Sequence, residues 1–258
     1  MTKIIIQGYG TVGQSTEMFL RTVNPPLDIV LHDPSKGLTA DTDDWTSADY
    51  AIVCVNTDTD IGLQENSIAN VTDAIDYASD FGFGGVTILR STVGVAAINT
   101  LVAWLGDVLI VWPEYIREAT WQTDSINPNF VILGGKRAPA FKDIIDQFTI
   151  TTIVTDPVEA MIAKLSTNTF LAMKVVFANQ LYQLCKQAGA DYEIVSALLK
   201  NEGRLGDSHW QVPGPDGLQG FGGKCFPKDA LTFKTALSAV GISDQLISAV
   251  LSINESLR

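Results

Sequence analysis

Three groups of residues in this 258-residue chain have the types and spacing to do chemistry. The sharpest is the run Gly220-Phe221-Gly222-Gly223-Lys224-Cys225-Phe226-Pro227-Lys228-Asp229. Glycines let a substrate approach the backbone closely. Cys225 stands just before a helix whose first turn begins at Pro227, where the helix dipole together with Lys224 and Lys228 should lower the thiol pKa and populate the nucleophilic thiolate. The alternative is an ordinary loop cysteine. Cys54, in an apolar strand, and Cys185, in a helix, lack these features and read as small hydrophobes. The three cysteines are odd in number, with no Cys-x-x-Cys pair, so reduced thiols are the default. The second group is Lys164 and Asn168, four apart in a helical run and so on one face about 6 Å apart. An ammonium and an amide converging there would bind an alcohol oxygen and stabilise an oxyanion. Taken alone, the commoner outcome for such a pair is a solvated helix face.

The third group is Gly8-x-Gly10-x-x-Gly13, with Thr11 and Val12 between the glycines. It follows a strand and opens a helix, the context in which this spacing binds a dinucleotide: tight turn, close pyrophosphate approach, close helix packing, and N–H donors at the helix start. Asp33 follows at the distance of a ribose-binding acid, and with no Arg beside it in His32-Asp33-Pro34-Ser35 it favours NAD over NADP. The competing readings are a glycine-rich turn of another α/β protein and a strand-end turn residue.

The elements that must position these groups follow from the apolar runs. Lys3–Gln7, Leu27–Leu31, Tyr50–Val55, Val86–Leu89 and Val108–Val111 are short continuous apolar segments separated by helical or polar crossovers, the pattern of a parallel sheet covered on both faces. Helical spacing is read from Ser15 to Val23, and Phe130–Leu133 and Thr151–Val154 read as closing strands. The fold class is therefore α/β, with an N-terminal Rossmann-type doubly wound parallel sheet over residues 1–155. Asp156-Pro157 is a helix-start signal, and no breaker follows until Gly189, which predicts one helix of about 30 residues against a usual length of ~11–12. Asp191 caps a further helix to about Lys200, a Gly/Pro-rich loop runs from Gly203 to Gly223, and Pro227 and Ser243 open two final helices. Residues 156–258 are thus expected to form an all-helical central domain, dimeric through the long helix and carrying Cys225.

Composition excludes several classes. With 46% hydrophobic and 18% charged residues the chain is not disordered, and a net charge of −12 offers no basic footprint for nucleic acid or an anionic membrane. The acidity is concentrated in residues 1–80, with 13 Asp and Glu against 3 Lys and Arg, so an anion bound there must use backbone amides. No uninterrupted apolar stretch reaches ~18 residues and the N-terminus lacks a signal-peptide core, so a soluble cytoplasmic protein is expected.

Together with Ser91-Thr92-Val93 and Pro113-Glu114-Tyr115-Ile116-Arg117-Glu118, these motifs make the chain resemble the UDP-glucose/GDP-mannose 6-dehydrogenase family, in the family's order across essentially the whole length. The resemblance implies NAD-dependent oxidation of a nucleotide sugar in two two-electron steps, most simply UDP-glucose to UDP-glucuronate for polysaccharide biosynthesis. Cys225 then resembles the nucleophile that forms a thiohemiacetal and a thioester, and Lys164 and Asn168 the oxyanion pair. Asp229 resembles the carboxylate that handles the hydrolytic water, and Glu114 a general-base candidate. Thr92 and Glu118 resemble groups near nicotinamide and an ordered water, Thr57 and Lys228 other cofactor contacts, and Arg204 an arginine that reaches substrate. Tyr115, Ile116, Arg117, Phe221, Gly222 and Gly223 belong to the implied substrate-binding segments, Arg117 and His209 being rim or structural residues on their own chemistry.

Two departures bear on this. Family chains continue past the equivalent of Asn254–Arg258 into a further domain for the nucleotide, so a short form lacking that domain is expected. The family's prolines after the third and fourth strands are replaced in Val55-Asn56-Thr57-Asp58 and Ser91-Thr92-Val93-Gly94. Two other readings compete: a β-hydroxyacid dehydrogenase, which oxidises once without cysteine, and a non-catalytic NAD-binding protein.

Overall fold

In the computed structural model, which describes residues 1–24, 26–60, 65–117, 120–146 and 150–258, the apolar runs become the strands of one seven-stranded sheet. These are β1 (Lys3–Gln7), β2 (Asp28–His32), β3 (Tyr50–Val53), β4 (Val86–Leu89), β5 (Leu109–Val111), β6 (Phe130–Gly134) and β7 (Thr151–Thr155), in spatial order β2-β1-β3-β4-β5-β6-β7. All neighbours are parallel except β5 and β6, which meet antiparallel at Val111 and Gly134. The order turns back between β1 and β3, the switch point outside which ligands of open α/β sheets bind.

The apolar runs are continuous because both faces are covered. Ile4, Ile5 and Ile6 are all fully enclosed, yet alternation sends them to different cores. Ile4 and Ile6 join Phe19, Ile52, Ile88, Ile110, Trp112 and Phe141 on one face, while Ile5 joins Trp45, Ala51 and Ala78 on the other. The crossovers supply α1 (Thr11–Leu20), α2 (Thr42–Ser47), α3 (Ala69–Asp80), α4 (Val95–Leu105), α5 (Trp121–Ile126) and α6 (Ala138–Ile145). Helix α1 begins at Thr11, directly after the glycine turn rather than at Ser15, and β3 ends at Val53 rather than Val55.

The long helix α7 runs from Pro157 to Ala188. Asp156 Oδ1 accepts from the Val158 N–H at 2.9 Å, and at the far end Gly189, with φ 70°, lets the Ala190 N–H reach the Cys185 carbonyl at 2.9 Å. The chain divides into two compact units within this helix. Met1–Asp60 and Asn66–Lys164 form the sheet unit, and Leu165–Arg258 form the body of the helical one. In the helical unit α8 (Tyr192–Asn201) is capped by Asp191, whose Oδ1 accepts from the Glu193 N–H at 2.8 Å. Helices α9 (Phe226–Ala239) and α10 (Gln245–Leu257) follow, α10 starting after Asp244 rather than at Ser243. Ala172, Val176, Phe221 and Val250 form one core of this unit, and Ala178, Cys185, Tyr192, Trp210 and Val212 another.

Candidate active site

In the sheet unit the glycine turn leaves its backbone uncovered by side chains. Gly8 has φ 86°, and a Cβ on Gly13 would lie 2.1 Å from the Gly8 carbonyl oxygen, so neither position takes a side chain. In front of Gly10 a Cβ would meet nothing within 4 Å, and no side chain caps the α1 N-terminus. The first-turn N–H groups around Thr11 and Val12 are therefore presented to open space with the positive end of the dipole behind them. Asp33 stands at the end of β2 beside this turn. Its Oδ2 accepts from the Tyr9 N–H at 2.8 Å and its Oδ1 from the Ser35 hydroxyl at 2.6 Å. Burial pushes the Asp33 carboxyl up, but Ser35, the Tyr9 N–H and the Lys36 charge together hold it below its ordinary value. An ionised acid next to a capless glycine turn fits the adenosine ribose and pyrophosphate of a dinucleotide.

Farther along the carboxyl ends of the strands, Thr57 and Thr92 are buried in the loops after β3 and β4. The Ser91 hydroxyl donates to the carbonyls of Val55 and Val53 at 2.7 and 3.3 Å, tying those two loops together. After β5, Glu114 is buried. Its Oε2 accepts from the Ile116 N–H at 2.9 Å and its Oε1 faces the Lys164 ammonium at 3.3 Å. Lys164 is only 3% exposed and its nitrogen lies 5.0 Å from the Tyr115 ring centre, with Tyr115 packed on Phe130. Lys164 is no solvated helix residue, contrary to the commoner outcome for its type. Arg117 is exposed, with both its backbone N–H and its guanidinium bound to Asp124 at 2.7–3.0 Å, an arrangement that belongs to the loop's own structure. The Arg117 hydrogen bonds hold the Asp124 carboxyl down at about 2. Glu118 lies outside the described residues.

In the helical unit, Asn168 and Asp229, 61 positions apart, come together. The Asn168 amide donates to Asp229 Oδ2 at 2.6 Å, and the Lys228 ammonium reaches Oδ1 at 2.8 Å. Asp229 is 1% exposed, and these donors satisfy both of its carboxyl oxygens away from water. Lys228 spends its charge on Asp229, which bears on its expected role as a cofactor contact. Cys225 is exposed and occupies the N-cap position of α9, while Cys54 and Cys185 are buried. Burial pushes the Cys54 thiol up to about 11, consistent with an inert packing role. Arg204 is exposed and pairs with Glu202.

Some neighbours of these groups were not read from sequence. Asn254 on α10 clasps the glycine run: its Oδ1 accepts from the Phe221 N–H at 2.6 Å and its Nδ2 donates to the Phe221 carbonyl at 3.0 Å. The Arg258 guanidinium lies against Gly222 and pairs with Asp216 at 2.8 Å. Arg90, at the end of β4, is buried beneath Trp112. The only sequence signal for Arg90 was a charge directly abutting an apolar strand, and for Asn254 there was none.

The comparisons agree with the motifs. Residues 158–256 match the UDP-glucose/GDP-mannose dehydrogenase family, central domain. A UDP-glucose 6-dehydrogenase of Rickettsia bellii is 28% identical over 204 residues, covering 74% of this chain and 46% of that protein. The chain thus spans about half the length of the curated relatives it matches. Among solved structures, a UDP-glucose dehydrogenase from Pyrobaculum islandicum superposes with a TM-score of 0.84 at 22% identity, over 99% of this chain and 68% of that one. A 3-hydroxyisobutyrate dehydrogenase from Mycobacterium tuberculosis does so at 0.75 and 15% identity, over 99% of this chain and 93% of that one. Residues 158–256 are thus similar to the central domain of the UDP-glucose/GDP-mannose dehydrogenase family, and the chain has the fold of the dehydrogenases on which it superposes.

Proposed function

We propose that the protein is an NAD-dependent oxidoreductase that carries the primary alcohol of a nucleotide sugar through the aldehyde to the carboxylate, with UDP-glucose the first substrate to test. The observation that carries this reading is an exposed cysteine at the head of α9, four residues ahead of a buried Asp229 held by Asn168 and Lys228. A single alcohol oxidation needs neither. NAD bound at the glycine turn supplies the hydride acceptor for both oxidations.

The chain's own residues do the rest. Glu114 takes the alcohol proton in the first step, and the Lys164 ammonium and Asn168 amide stabilise negative charge on the substrate oxygen. The Cys225 thiolate adds to the aldehyde carbon, forming a C–S bond as the C=O double bond opens and its oxygen takes back the proton held by Glu114. Loss of that proton and of hydride leaves a thioester. Water oriented by Asp229 then attacks the carbonyl, the C–S bond breaks, and the thiolate leaves with the carboxylate released. Sulfur suits both roles, as a strong nucleophile and a good leaving group. Thr92 and Thr57, at the carboxyl ends of the strands, and Arg204 are the further cofactor and substrate contacts of this reading.

NADH released per molecule of UDP-glucose, with GDP-mannose and other UDP-sugars beside it, tests the reading. Two NADH per sugar support it, and Cys225→Ala should then stop short of the acid. The likeness to 3-hydroxyisobutyrate dehydrogenase over nearly its full length favours a second reading, a single-step hydroxyacid dehydrogenase, which one NADH per substrate and an active Cys225→Ala would support. Cofactor binding without turnover over the whole panel would point to a binding-only protein. The reading also includes a cytoplasmic homodimer formed through α7, supported by Phe170, Phe177 and Leu184, exposed at seven-residue intervals along that helix.

A further inference from the structure

Asp33 reaches the glycine turn from a loop, and a buried histidine fastens the far end of that loop. His32, the last residue of β2, is 5% exposed, and its carbonyl accepts from the Gly8 N–H at 2.9 Å. Beyond it the chain folds back on itself. The Asp33 N–H donates to the Leu38 carbonyl at 2.8 Å and the Leu38 N–H to the Asp33 carbonyl at 3.2 Å, across a turn in which Gly37 has φ 72°. Asp33 Oδ2 and the Lys36 ammonium hold the N–H and the carbonyl of Tyr9 in the glycine turn. The returning chain is then tied back to β2, where the His32 Nδ1 accepts from the Ala40 N–H at 3.2 Å. Directly after Ala40, Asp41 caps α2. The imidazole packs on Trp45 of α2, with ring centres 5.3 Å apart, and on Tyr77 of α3, at 4.8 Å.

A hydrogen bond accepted at Nδ1 fixes the state of the ring, because that nitrogen must then carry no proton. Protonation would turn the acceptor into a second donor facing the Ala40 N–H and would set a cation among enclosed aromatic rings. Burial lowers the His32 pKa and the Asp33 charge opposes that shift, so the neutral ring is the state favoured near neutrality. The groups facing the ring are Tyr77 from α3, Trp45 from α2, Gln7 from β1 and its own neighbour Asp33. Asp33, held below its ordinary value, stays ionised wherever a histidine titrates. We propose that His32 is a positioning residue of the cofactor site: its neutral imidazole, by holding the Ala40 N–H, keeps the Asp33 loop closed on the glycine turn, so that dinucleotide affinity falls when the ring is protonated. A cofactor that needs the closed loop binds the neutral-ring form more tightly, and by linkage it must make the ring harder to protonate by the same factor. Affinity is therefore full above the His32 pKa of the free protein and is lost as pH falls through it.

The inference rests on the reading that NAD binds at this turn, and the test separates the two. NAD is titrated calorimetrically from about pH 8 to about pH 5, with circular dichroism checking the fold at each pH. Wild type is expected to bind about fivefold or more weakly at the acid end. His32→Asn sets an amide oxygen near the place of Nδ1, which accepts from Ala40 and does not titrate. Its affinity should lie within about threefold of wild type at about pH 8 and stay level to about pH 5. His32→Leu, with no acceptor, should bind about fivefold or more weakly across the whole range. A merely structural ring would weaken both variants and leave their pH profiles parallel to that of wild type, and this result overturns the inference alone. So does a wild type whose affinity is level across the range. No NAD binding by wild type at any pH overturns the cofactor reading and the inference with it. A second measurement follows the ring itself. The chain has two histidines, and the imidazole 15N signals of His32 are those absent in His32→Asn. At about pH 8 its Nδ1 should be bare and its Nε2 protonated, and saturating NAD should lower its titration midpoint. A proton on Nδ1, or a midpoint that NAD leaves in place, overturns the proposal even where His32→Leu fails to fold.

Discussion

At the scale of single residues, the hydrogen-bonded carboxyl groups fall into two kinds by burial. Asp229 is enclosed and accepts hydrogen bonds from Asn168 and Lys228. Asn168→Leu would leave Asp229 Oδ2 without the amide donor in a place water does not reach, and should cost about 2 kcal/mol of stability in urea titration along with most activity. The Arg117–Asp124 pair is of the other kind, its arginine exposed. The folded pKa of Asp124, about 2, is depressed, so whatever stability the pair contributes is present above the ordinary carboxylate pKa and is lost as pH falls below it through the folded pKa. Asp124→Asn should therefore lower stability slightly near neutrality and flatten part of the acid limb below about pH 4, the two curves converging at the acid end. Thermal unfolding between about pH 2 and 5 checks this, and a curve unchanged by the substitution would refute it.

At the scale of elements, the proposed cofactor site depends on where α1 begins. The strand–turn–helix passage leaves no room for a side chain at Gly13, whose Cβ would collide with the Gly8 carbonyl. Gly13→Ala must push α1 away from the turn, and NAD affinity should fall by about a hundredfold or more, read by calorimetric titration. Retained affinity would mean that the dinucleotide does not lie on this turn. The elements after Gly203 work differently. The glycine run ahead of Cys225 has no regular structure of its own, and α10 holds it through Asn254 and Arg258.

At the scale of the whole molecule, α7 exposes large apolar side chains that contacts within one chain leave uncovered. By length and composition it would pass as a membrane span, yet 44% of its most apolar window is buried by protein. Its exposed Phe170, Phe177 and Leu184 repeat with the seven-residue period of a helix that packs along another. A homodimer through this stripe predicts sedimentation at twice the mass of 27.8 kDa at micromolar concentration, and its conversion to monomer by Phe177→Glu. A monomeric wild type would remove this reading without touching the chemistry.

By itself the sequence determined the strands, because burial on both faces turns each into a continuous apolar run such as Ile4-Ile5-Ile6, and it determined α7, because Pro157 and Gly189 punctuate an otherwise unbroken helical stretch. It also marked Gly8, Gly10, Gly13 and Asp33, since a turn without side chains can be written only with glycine. Local pattern could not show that Lys164 is buried against Glu114, or that Asn168 meets Asp229, because those contacts join residues 50 and 61 positions apart. Sequence spacing placed Lys164 and Asn168 on one helix face and left open whether water covered it. Only the tertiary structure decided that, by closing β5 and its following loop over Lys164, and α9 over Asn168. Arg90 was the least legible of all: a charge beside a strand is ordinary in one dimension, and only the packing of Trp112 over it shows a cation left without an acceptor.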